Sequence, residues 1–122
     1  MSQHDPLVRL RHMLDFANKA VELMGSHSEA QFLADETLLL AECRLVELIG
    51  EAANVSPKET LEQIPAIPWA RVIRMRHRLI HGYDTISAPA VYEVVVADLP
   101  VLIRELTAFL SRADSSSIPP QE

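Results

Sequence analysis

The sequence predicts an all-α protein, an up-and-down bundle of four main helices plus a short connecting helix. Three observations carry that prediction. The 122 residues include only three glycines, too few for a turn-rich β protein. Apolar residues make up 48% of the chain and recur at spacings of three and four rather than two. Prolines punctuate the chain between those apolar runs, Pro100 being the exception. The length suits one domain, assigned to residues 1–113, that can bury roughly two-thirds of its unfolded surface. Residues 114–122, Asp-Ser-Ser-Ser-Ile-Pro-Pro-Gln-Glu, are expected to form a disordered tail.

The first helix is expected to start at Asp5-Pro6, because proline is tolerated in a first turn. Leu7, Leu10, Leu14, Ala17, Val21 and Met24 form its apolar seam, and Gly25 closes it. A second, longer helix is expected from Ser28 to Asn54, with no internal proline and apolar residues around much of its circumference. Such a helix belongs at the centre of a bundle. Ser56-Pro57 ends it and opens the short connector through Leu61. Pro65 and Pro68 bracket a loop, after which a third main helix runs from Trp69 to about His81 and stops at Gly82. The fourth opens at Ser87-Ala88-Pro89 and runs to about Arg112, kinked at Pro100 by the loss of one backbone hydrogen bond.

No apolar run approaches the roughly 20 residues that span a bilayer, so no membrane association is expected. The polar start, Met1 to Pro6, lacks the layout of a secretion signal. Cys43 is the single cysteine, which leaves no intrachain disulfide and fits a reducing cytoplasm. A net charge of −6 argues against a general nucleic-acid coat protein. Four of the eleven Lys and Arg residues nevertheless fall within eight positions (Arg71, Arg74, Arg76 and Arg78), joined by His77 and His81. No acidic residue lies between Ala66 and Tyr83. An acidic body with one basic segment points to a localised anion site.

Wound at about 100° per residue, that segment sorts into two faces. Trp69, Val72, Ile73, Met75, Leu79 and Ile80 form an apolar sector, and Arg71, Arg74, Arg78, His77 and His81 lie opposite. Arg76 breaks the pattern, falling near the middle of the apolar sector. A buried unpaired guanidinium costs several kcal/mol, so Arg76 requires either an internal acid or a phosphate ligand. Glu36, Glu47 and Glu51, on one stripe of the second helix, are the acids available. His81 adds a group that ordinarily titrates near pH ~6.5 and can move a proton, although a histidine at a helix end is also a common cap. An arginine that grips a phosphate and a histidine that transfers a proton suffice for RNA cleavage, with the RNA 2′-hydroxyl as nucleophile and no metal or cofactor. His77 and His81, four apart, could share one phosphate or hold a metal; no carboxylate or cysteine nearby in sequence completes a metal site.

Arg76-His77-Arg78-Leu79-Ile80-His81 resembles the R-x4–6-H signature of HEPN domains. The wider string from Ile67-Pro68-Trp69 through His81-Gly82-Tyr83, with Ile49-Gly50-Glu51-Ala52-Ala53, is similar to the HepT branch of that superfamily. The branch commonly has asparagine after the arginine, where this chain has His77. The resemblance implies an endoribonuclease toxin of a toxin–antitoxin pair, cutting tRNA or mRNA as a homodimer whose two motifs share a cleft. It assigns Arg76 to the scissile phosphate and His81 to general acid–base catalysis; His77, Arg71, Arg74 and Arg78, from the same basic segment, are expected to support them or bind RNA. It also implies a minimal nucleotidyltransferase antitoxin that transfers AMP to the tyrosine of an His-x-Tyr motif, matched here by Tyr83. The alternative within the fold is a non-catalytic HEPN bundle that binds a nucleotidyltransferase. A further alternative is a helical adaptor whose arginines dock an acidic partner.

Overall fold

A computed structural model describes residues 5–79 and 86–117, without the side chains of 76–79 and 116–117. His81 and Tyr83 lie outside the described residues, as do the side chains of Arg76, His77 and Arg78. The described residues form helices α1 (Pro6–Met24), α2 (Glu29–Leu33), α3 (Glu36–Asn54), α4 (Lys58–Leu61), α5 (Trp69–Leu79) and α6 (Ala88–Glu93), then a π-helical turn (Val94–Asp98) and α7 (Leu99–Ser117). The long helices α1, α3, α5 and α7 make an all-α bundle, and no β-strand occurs among the described residues.

Local chemistry sets the helix ends. The Asp5 carboxylate accepts the Leu7 N–H at 2.7 Å, capping α1 ahead of Pro6. Gly25 closes the helix with φ 50°, a left-handed conformation that costs glycine little, and its N–H reaches the Val21 carbonyl at 3.0 Å. α1 packs most extensively on α3 and α7, and α3 also packs on α5. Leu10, Met13, Ala17, Val46, Ile49, Met75, Leu99 and Leu106 form the heart of the core, each at most 1% exposed.

Three expectations need correction. The helix read from Ser28 to Asn54 is two helices, α2 and α3, with a break at Ala34-Asp35. Asp35 leaves the helical conformation and its carboxylate accepts the Leu38 N–H at 3.0 Å, so a residue that competes with the helix backbone restarts the helix as a cap. The last helix is interrupted in a different form from a simple kink. Ahead of Pro100 the chain widens into the π-turn, where the Leu99 N–H bonds the Val94 carbonyl five residues back. Finally, α7 continues to Ser117, past the expected start of a disordered tail at Asp114. Asp114 pairs with Arg11 of α1, which ties the last turns of α7 to the bundle.

Candidate active site

The basic segment sits on α5, and the loop before it is fastened at both ends. The Trp69 indole N–H donates to the Ile64 carbonyl at 3.1 Å, folding the Pro65–Pro68 stretch back on itself. Pro68 supplies its carbonyl to the Arg71 and Val72 N–H groups, starting the helix. Val72 and Met75 are buried, Trp69 and Ile73 half-buried, and Arg74 exposed. The described part of the helix thus sorts its faces as the periodicity requires.

Helical geometry then places the motif. Position 76 lies one turn after Val72, about 40° from it around the helix axis. Positions 71, 74 and 78 fall within about 60° of one another on a separate face. Arg74 is exposed there and open to a polyanion, whereas Arg71 is already engaged. The Arg71 guanidinium bonds Asp98 of the π-turn at 3.0 Å and lies 3.9 Å from Glu93. Its Nε is buried without a hydrogen-bond partner, so the root of the guanidinium is turned into the protein. An RNA-contacting Arg71 would share its guanidinium with these carboxylates. Among the described residues no three of His, Cys, Asp or Glu converge in the manner of a metal site.

α3 carries a further acid besides the stripe of Glu36, Glu47 and Glu51. Glu36 and Glu51 are exposed, and Glu47 accepts a bond from Arg44 at 2.8 Å. The buried acid is Glu42, 0% exposed, with neither carboxylate oxygen hydrogen-bonded. Burial pushes its carboxyl from the ordinary 4.5 up to about 7. Glu42 shares the inward stripe of α3 with Leu38, Val46 and Ile49, so the spacing that signals its burial was present in the sequence. Asp98 had no comparable signal, because its reach to Arg71 depends on the π-turn.

A family model described as "Ribonuclease HepT-like" matches residues 13–109, a span that includes α5 and the whole Arg76-to-His81 motif. The chain belongs to the HepT-like ribonuclease family. Within the HEPN superfamily it resembles "Putative RNase TTE0752" of Caldanaerobacter subterraneus subsp. tengcongensis, 30% identical over 88% of this chain and 96% of the relative. It is also similar to "Probable ribonuclease HepT" of Thermococcus cleftensis, 37% identical over 69% of this chain and 80% of that protein. "Putative RNase MJ1380" of Methanocaldococcus jannaschii is 28% identical over 87% of this chain and 97% of its own length. No solved structure gives a significant match. No helix among the described residues is long and apolar enough to cross a membrane.

Proposed function

We propose that this protein is a metal-independent endoribonuclease, the toxin of a toxin–antitoxin pair. The observation that carries the reading is the match of the HepT-like ribonuclease family across a span containing both Arg76 and His81. Arg76 grips the scissile phosphate and offsets the charge that builds on it in the transition state. The RNA 2′-oxygen attacks the neighbouring phosphorus as its proton is removed, and the 5′-oxygen leaves as it takes a proton up. His81 serves that proton traffic as general acid or base. The products are a 2′,3′-cyclic phosphate and a free 5′-hydroxyl. Arg74, Arg78 and His77 hold the flanking RNA backbone, which tolerates the negative charge of the rest of the protein because the basic segment is local. Arg71, committed to Asp98, takes a different role, developed below.

The working form is a two-fold homodimer in which the motifs of both copies meet. Control comes from a minimal nucleotidyltransferase that attaches AMP to Tyr83, two positions from His81. The added phosphate and bulk would occupy the space an RNA phosphate requires. Cytoplasmic RNA, tRNA or mRNA, is the substrate class.

The deciding experiment is cleavage of tRNA and mRNA pools by purified protein in excess EDTA, with Arg76→Ala and His81→Ala variants checked for folding. Cleavage by wild type alone, with cyclic phosphate ends, is the expected result. If no version cuts either pool, and the chain carries no AMP-sized mass, the protein is instead a non-catalytic partner of a nucleotidyltransferase. For the control step, co-expression with that enzyme should add AMP to wild type and not to Tyr83→Phe.

A further inference from the structure

We propose that Asp98 is a positioning residue for RNA cleavage, acting through Arg71 to fix the helix that carries Arg76. The inference rests on the ribonuclease reading above. Arg71 stands in the first turn and a half of α5, five positions ahead of Arg76 on the same helix. At about 1.5 Å per residue the two are separated by about 7.5 Å along the axis, so a tilt or slide at Arg71 is passed directly to Arg76.

The two sides of α5 are held in different ways. Towards α3 it is packed extensively. Towards α7 there is a cavity of about 110 Å³, lined by Ile67, Val72 and Met75 on one side and Val101 and Leu102 on the other. The pocket is half open and wide enough to admit water, so the groups on its two sides are not in direct contact and packing alone does not define the α5–α7 spacing. Arg71 and Asp98 stand at the same cavity and bridge it with their 3.0 Å bond, with Glu93 as a second anion on the guanidinium.

Asp98 reaches that position on the last residue of the π-turn. Such turns are uncommon and occur often at functional sites. A partly exposed ion pair adds little to stability, so the turn is of small use on that ground. Its effect is geometric: it fixes where the root of α5 sits.

Two roles for Arg71 give different kinetics. An arginine that contacts phosphate sets RNA affinity, and its loss raises KM and lowers the salt dependence of binding. An arginine that positions the helix sets the chemical step, and its loss lowers kcat with binding retained. The test compares wild type, Asp98→Asn, Asp98→Glu and Arg71→Ala as full-length proteins. It measures steady-state cleavage in EDTA, RNA affinity on a His81→Ala background, and amide exchange over Val72–Leu79.

Asp98→Asn and Arg71→Ala are expected to lower kcat about 3- to 5-fold, close to the most that one partly exposed ion pair can hold in place, with KM and affinity unchanged. Asp98→Glu, which keeps the carboxylate, should recover most of the loss. Amides of α5 should exchange faster in Asp98→Asn while those of α1 and α3 hold. An unchanged kcat in Asp98→Asn overturns the proposal, and so does a loss confined to KM and affinity. Unchanged α5 exchange overturns it even if no RNA is cut. An inert wild type whose α5 exchange still responds to Asp98→Asn would instead overturn the ribonuclease reading and the reaction role together, leaving Asp98 as a helix anchor.

Discussion

Replacing Glu42 with glutamine should make this protein more stable, by an amount that grows with pH. The carboxyl is fully buried on α3 and neither oxygen is hydrogen-bonded. Burial raises it from 4.5 to about 7, so between those values the native state keeps a proton that the unfolded chain releases. When the native state binds more protons, stability falls as pH rises, and the loss is complete once pH exceeds the native value. At about 1.4 kcal/mol per pH unit, the full cost is about 3 kcal/mol, of which about 2–3 kcal/mol develops between pH 5 and pH 8. Glutamine preserves size and polarity and removes only the titration. The assay is urea unfolding of wild type and Glu42→Gln at pH 5, 6.5 and 8. The stability difference between them should widen by about 2–3 kcal/mol over that range, in favour of the variant. Parallel pH profiles would refute the argument, because they would mean that Glu42 already ionises at its ordinary value in the folded protein.

Other predictions test the fold. Ile49→Ala empties a fully buried site on α3 and should cost about 2–5 kcal/mol in urea unfolding; a loss well under that would show that the core collapses to fill the space. Ser28→Ala removes half of the capping box it makes with Gln31 and should cost about 1 kcal/mol, while Ser28→Thr should retain most of it. Cys43 is buried, and burial together with the charges of Glu47 and Glu42 pushes its thiol up to about 11. A disulfide reagent at pH 8 should therefore modify native protein far more slowly than urea-unfolded protein, and equal rates would contradict its placement.

Much of the fold was legible before any coordinates. Asp5-Pro6 and Gly25 mark the ends of α1 by local bonds alone, and the spacing of Leu10, Ala17 and Met24 identifies its buried side. The fold class follows from the same periodicity carried through α3, α5 and α7. The motif segment was equally readable, since Val72 and Met75 are buried and Arg74 exposed as a 3.6-residue repeat requires. The break at Asp35 was readable but weak, because aspartate within a helix and aspartate capping one differ only in whether the preceding residues find better packing.

Sequence by itself therefore determined the fold class, several helix ends, most inward faces and the family motif, all of which depend on neighbours within a turn or two. Tertiary structure decided which charges met. Arg71 belongs by sequence to the basic face of α5, yet it is spent on Asp98, twenty-seven residues away. Glu42, rather than Glu36, Glu47 or Glu51, became the buried acid. Helical period sets the direction in which a side chain points. What it meets there depends on how separate helices pack and on a π-turn that rotates Asp98 into reach, neither of which any local spacing encodes.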